Sequence, residues 1–235
     1  MKTLLYFYSI PSLVLKKEGI SKFRNKTKTL HTLRKSYQST RSRCMNWYEK
    51  LNQYFPIEEM KSKEHMETLL KEKGDIYHKD EGPYHVLMYV ELDHFIFIDY
   101  LFVSKESRGQ GLGHKLLEKL KKKGKPIILE VEPVNYEDSD TEKRLKFYKR
   151  EGFEHATSIG YERKSLATNE SNQMEILYWS PTNESEELIY KAMRKTYDEI
   201  HTYKDKEFYG DSYQDVNEVL SFNNKNDNRD ILRDV

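Results

Sequence analysis

The sequence has almost no cysteine. Cys44 stands alone, which excludes an internal disulfide and any metal centre built on several thiolates, and it agrees with a reducing compartment. Long apolar runs are also missing. The mostly apolar stretch over residues 4–15 contains Ser9 and Pro11 and is too short to span a bilayer. No small-x-small cleavage site follows it, so it reads as a buried first strand or an amphipathic segment, and the chain is expected in the cytoplasm with no membrane span. The eight histidines show no His-Glu-x-x-His spacing, which argues against a bound metal. No internal repeat is visible.

What is present is charge and tyrosine. Charged residues make up 34% of the 235 and apolar residues only 37%, so the core is modest and the surface heavily solvated. The 18 tyrosines suit half-buried positions with a wet hydroxyl. A net charge of +1 conceals a strong asymmetry. Residues 1–50 carry 12 lysines and arginines against Glu18 and Glu49, a net of +10, and the remainder carries −9. The basic stretch 16–43 has the charge to meet nucleic acid, an acidic membrane surface or the acidic part of its own chain, and a solvated extension is the plainer reading.

Periodicity places the elements. Residues 45–55 read as a helix with Trp47, Tyr48, Leu51 and Tyr54 on one face, ended by Pro56. Residues 57–73 read as a second helix, with Gly74 as its C-cap. Residues 76–79 suggest a strand edge, and Asp80-Glu81-Gly82-Pro83 a turn. Residues 85–92 and 95–103 read as successive strands. Leu112, Leu116, Leu117 and Leu120 give the next segment a helical apolar stripe. Residues 126–133 read as a strand, 140–150 as a helix, 174–179 as a final strand and 184–203 as an amphipathic helix. An acidic, Asn-rich tail follows.

Between the strand at 95–103 and the helix with the leucine stripe lies Arg108-Gly109-Gln110-Gly111-Leu112-Gly113. Strand, basic glycine loop, helix is an arrangement that holds a phosphate, because glycines allow positive φ and close approach while the helix start offers free N–H groups. A dinucleotide fingerprint is excluded, since His114 or Leu116 stands where its third glycine belongs. A Walker A loop is excluded because Lys119 occupies its first glycine position relative to Gly124-Lys125.

The run resembles the Arg/Gln-x-x-Gly-x-Gly/Ala loop of the GNAT-type N-acetyltransferases. Val103 stands five residues before Arg108, as the family's fourth strand requires. Residues 126–133 resemble its fifth strand, and Phe147-Tyr148-Lys149-Arg150-Glu151-Gly152-Phe153 its closing element. Thr141 and Arg144 stand where the family often carries asparagine and alanine. The similarity spans residues 43–181. It implies a mixed α/β fold with a central, mostly antiparallel sheet flanked by helices and splayed between the fourth and fifth strands. On this reading residues 1–42 are a basic extension that can contribute a first strand, 43–181 the acetyltransferase domain, and 182–235 an acidic helix and tail.

The resemblance also implies chemistry. Acetyl-CoA would be the acyl donor and an amine the acceptor, with direct attack and no enzyme nucleophile. Arg108, Gly109, Gln110, Gly111, Leu112 and Gly113 would hold its pyrophosphate, and Leu101, Phe102 and Val103 would pair with its pantetheine arm. Tyr148 occupies the position of the usual acid. For the base, Asp99 is read as sharing a strand face with Phe97, Leu101 and Val103, while Glu130 and Glu132 share a face on the next strand. Any of the three can face the acceptor. Two rival readings are a cofactor-binding sensor or scaffold without robust catalysis, and an acetyltransferase for a nucleic-acid-linked substrate using residues 16–43. A homodimer through the last strand or helix is compatible with the sequence.

Overall fold

The structure, a computed structural model, describes residues 45–133, 139–165, 168–223, 229–233 and 235. The basic extension 1–42 and its first strand lie outside them, as do Cys44 and residues 224–228 of the Asn-rich stretch.

Helix α1 (Trp47–Asn52) opens with a capping box. The Asn46 side chain accepts from the Glu49 N–H, and the Glu49 carboxylate accepts from the Asn46 N–H. Ser62 caps α2 (Lys63–Glu72), which buries His65, Met66 and Leu69. Residues 57–62, expected as the first turns of this helix, form a loop instead. The Tyr100 hydroxyl accepts from the Lys61 N–H at 2.9 Å and donates to the Glu59 carbonyl at 2.8 Å, which ties the loop to the sheet.

Eight strands follow: β1 (Tyr77–Gly82), β2 (His85–Glu91), β3 (Ile96–Val103), β4 (Ile127–Val131), β5 (Glu154–His155), β6 (Ile159–Lys164), β7 (Ser171–Trp179) and β8 (Leu220–Phe222). They form one sheet in the order β1-β2-β3-β4-β7-β6-β8, with β5 also on β7. β3 and β4 are parallel and every other pair is antiparallel. This is the mixed, mostly antiparallel sheet expected. β1 runs on through Asp80, Glu81 and Gly82, so the reversal sits at Pro83 and Tyr84 rather than at the expected turn.

Two apolar layers cover the sheet. On one face Trp47, Leu51, Met66 and Leu69 of α1 and α2 pack with Val86, Met88, Val90, Phe97 and Ile128. On the other, Leu116, Leu117 and Leu120 of α3 (Leu112–Lys121) and Leu145 and Tyr148 of α4 (Ser139–Arg150) pack with Leu87, Ile96, Ile98, Leu129 and Leu177. Each fully buried leucine contributes about 1.5–3 kcal/mol over its exposed state.

The segment after Pro181 belongs to this core rather than following it. Ile189, Ala192 and Met193 of α5 (Glu186–Thr196) join the first layer, with Tyr197 and Ile200 of the π-helical turn Tyr197–His201 that continues it. Short helices α6 (Asp205–Tyr209) and α7 (Val216–Val219) lead into β8, which pairs with β6. Residues 42–235 form one compact unit.

Two irregularities of β3 position the site. The register passes from Tyr89↔Ile98 to Met88↔Tyr100, leaving Asp99 as the extra residue of a β-bulge. The bulge reverses the alternation. Phe97 and Tyr100 pack in the first layer, and Leu101 and Val103 against the second. The expected common face of Phe97, Asp99, Leu101 and Val103 is therefore corrected: a period of two does not survive a one-residue insertion. The second irregularity is a parting of strands. β3 and β4 pair only over Ile96↔Ile127, Phe97↔Ile128 and Ile98↔Leu129. Beyond Ile98, β3 stays with β2 while β4 stays with β7, and a wedge opens between them.

Candidate active site

The wedge is the floor of a cavity of about 780 Å³ that runs from the glycine loop to the inner end of β4. Its outer half is made largely of backbone. Gly109 and Gly111 have φ of +78° and +76°, which a side chain would strain, and a Cβ on either would meet no atom within 4 Å. Gly111 is the N-cap of α3 and no side chain caps that helix start. Its first-turn N–H groups lack intrahelical acceptors and face the cavity mouth with the positive end of the helix dipole. A Cβ on Gly113 would lie 3.0 Å from the Phe147 ring, so this glycine permits close packing of α3 on α4. The Arg108 guanidinium donates to Asp140 at 3.0 Å and lies 5.2 Å from the Tyr54 ring centroid. Leu101 and Val103 line the same half, while Phe102 turns toward the opposite layer. On the β4 side, β3 beyond Ile98 has no strand partner among the described residues. Open space at positive-φ glycines, an uncapped helix start, a cation and a free strand edge together suit a long phosphate-bearing ligand.

The inner half is made of side chains. Asp99 is almost fully buried, 2.6 Å from the Lys61 ammonium, and accepts from the Tyr77 hydroxyl at 2.6 Å. Glu130 lies 2.9 Å from His201 Nε2. Burial opposes its ionisation, but His201, Arg163 and Lys61 prevail and hold its carboxyl down at about 2. Burial, aided by Lys61, pushes the His201 imidazole toward its neutral form. Glu132 meets Arg144 at 3.3 Å. Beside it sits Glu59, whose Oε1 is buried without a partner among the described residues. Burial, then the charge of Glu132 and a hydrogen bond with it, push the Glu59 carboxyl up to about 8, against the pull of Arg144 and Arg163. Tyr148 lines the cavity between the halves, and burial raises its phenol well above the usual range.

The residues singled out from sequence thus collect around one cavity, except that Gln110, Phe102 and Glu132 are not on its wall. The Gln110 amide donates to the Glu106 carbonyl at 2.8 Å. Among the wall residues that escaped sequence reading, Glu59, Lys61, Arg163 and His201 form the charged inner end. Alternation in β6, with Ile159, Tyr161 and Arg163 buried in turn, would have marked Arg163 as a charge in an apolar position. Nothing local marks the other three. Away from the cavity floor, His114, Glu118 and Glu151 bring ligand atoms within 4.8 Å of one another. Lys121 lies 3.1 Å from Glu118 and 3.7 Å from Glu151 and supplies the positive charge there.

A sheet parted beside an uncapped glycine loop is the arrangement that the resemblance to the acetyltransferases implies, and comparison with known proteins agrees. Residues 73–155 match the model of the acetyltransferase (GNAT) domain. The chain is 67% identical over 188 residues to a Bacillus subtilis (strain 168) protein named "Putative acetyltransferase YjbC", covering 80% of this chain and 98% of that one. A solved GNAT-family structure from Bacteroides thetaiotaomicron shares the fold with a TM-score of 0.52 at 24% identity, over 70% of this chain and 90% of that one. The chain belongs to the GNAT acetyltransferase family and is an acyltransferase. No helix of the described residues is long and apolar enough to cross a membrane.

Proposed function

We propose that the protein transfers the acetyl group of acetyl-CoA directly to a primary amine, with Glu59 as base and Tyr148 as acid. The observation that carries this reading is the parting of β3 from β4 beside the uncapped start of α3. Arg108, Gly109, Gly111, Leu112 and Gly113 would hold the pyrophosphate, and the free edge at Leu101, Phe102 and Val103 would pair with the pantetheine arm. When bound, the donor supplies a thioester whose carbonyl carbon accepts the amine. Held in line, the two reactants need no enzyme nucleophile.

Glu59 takes the ammonium proton at its carboxylate. Its elevated pKa suits that task, because a base works best when its pKa lies near the working pH. Burial and, after it, the neighbouring Glu132 set that value. Tyr148 holds its proton at Oη through neutral pH and delivers it to the released sulfur. Asp99 and Glu130, each engaged by a neighbour, act as positioning groups for Lys61 and His201. In the net step an N–C bond forms and the C–S bond breaks; the ammonium gives up two protons, one to Glu59 and one that restores the Tyr148 phenol after its own proton has passed to the sulfur.

Calorimetric titration of acetyl-CoA into the wild type and into Gly111→Asp tests the donor half. Binding to the wild type that is lost in the variant is expected. A folded wild type that does not bind acetyl-CoA would overturn the reading. Binding with no turnover on any amine would favour a sensor.

A further inference from the structure

Arg163 lies on β6 at the inner end of the cavity and is 6% exposed. Its planar fork offers five N–H donors. Among the described residues one of these has a partner: Nη1 donates to the Tyr213 hydroxyl at a long 3.4 Å, with the guanidinium 5.4 Å from that ring. Nε is buried and unpartnered. No carboxylate oxygen of the described residues comes within 4.0 Å of it. The neighbouring acids are engaged elsewhere, Asp99 by Lys61 and Tyr77, Glu130 by His201. Glu59 largely keeps its proton at neutral pH and offers little countercharge. Two residues along the same strand face, the Tyr161 hydroxyl is likewise buried, with Glu130 as its charged neighbour.

A buried guanidinium with no carboxylate in direct contact is costly in a folded protein, and Glu130, whose charge acts on it from a distance, spends its hydrogen bond on His201. Arg163 lines the cavity in which the acceptor must sit. The fork matches a planar carboxylate in two parallel hydrogen bonds. We infer that Arg163 receives a carboxylate carried by the acceptor, so that the enzyme acetylates amino-carboxylates in preference to polyamines or aminoglycosides. The inference rests on the acetyl-transfer reading for its amine end, where Glu59 waits on the same wall. Its anion end stands on Arg163 alone.

Matched pairs separate the two ends. L-histidine with histamine, L-tyrosine with tyramine, and L-lysine with cadaverine differ by one carboxylate. Each is titrated into the full-length protein with and without saturating CoA, in wild type, Arg163→Met and Arg163→Lys. In the wild type at least one amino acid should bind about 30-fold or more tightly than its decarboxylated partner. The margin should vanish in Arg163→Met and be partly kept in Arg163→Lys. Methyl esters of the amino acids should behave like the amines. The thermal midpoint of ligand-free Arg163→Met should equal or exceed that of the wild type, since an unpaired buried charge has been removed. A merely structural arginine would instead lower it. Equal binding of both members of every pair, a margin that survives Arg163→Met, or a lowered midpoint would each overturn the inference. CoA affinity reports separately on the donor half and should be unchanged by either variant.

Discussion

The two halves of the cavity are built from different materials. The outer half uses backbone: two positive-φ glycines, a helix start without a cap and a strand edge left free. The inner half uses side chains from residues far apart in the chain, Glu59, Asp99, Glu130, Arg163 and His201. A ligand surface made of backbone needs glycines at fixed spacing over a few consecutive residues, so it is written as a motif. A surface made of side chains is assembled by the tertiary fold and can be rewritten one residue at a time. On the proposed reading one half would recognise the donor and the other would select the acceptor.

Four changes press on that contrast. The largest effect is expected for Glu59→Gln, which should lower kcat by about 10²–10⁴-fold while leaving acetyl-CoA binding by calorimetry intact. Loss of both together would show that the halves are not separable. Next comes the buried ion pair. Lys61→Met strands the Asp99 carboxylate and should cost about 3–5 kcal/mol in urea unfolding. The double variant Lys61→Met/Asp99→Leu should recover much of that, because the pair is then replaced by apolar packing.

Third is a shift rather than a loss. The rate with an amine acceptor should rise with pH along a limb near pH 8, where Glu59 ionises. Glu132→Gln removes the neighbouring negative charge that helps raise this value, so the limb should move to lower pH. A limb that stays in place would assign it to the amine rather than to Glu59. The same group leaves a mark on stability. A carboxyl raised from 4.5 to about 8 binds more protons folded than unfolded, so stability falls as pH rises across that interval. Glu59→Gln should flatten the slope in urea midpoints measured from pH 5 to 8. Least affected should be Lys63→Ala, which breaks an exposed i,i+4 pair with Glu67 and should cost at most about 0.5 kcal/mol.

The contrast also explains what the sequence disclosed. The glycine loop, the strands around it and the leucine stripe of α3 were legible because local periodicity and turn chemistry determine them. The alternation in β3 was misread, since one inserted residue at Asp99 reverses every face beyond it. Local pattern does not mark β6 or β8, and after Pro181 it marks the helix over 184–203 but reads the chain beyond as a tail. The apolar residues of the two strands are short runs that become a sheet edge only when paired. Glu59 lay inside an expected helix, and the tie that unwinds it comes from Tyr100, 41 residues away. Long-range tethers of this kind leave no trace in a local pattern.

The bulge has one more consequence. A single strand carries both the free edge at Leu101, Phe102 and Val103, proposed above for the donor, and, through Tyr100, the anchor of the loop that bears Glu59. At about 3.3 Å per residue, those few positions act as a ruler set between two molecules that must meet within reacting distance. Loops and flanking helices can change to admit a new acceptor while this spacing stays fixed. On the proposed reading an insertion or deletion in β3 would mis-space donor edge and Glu59 loop at once.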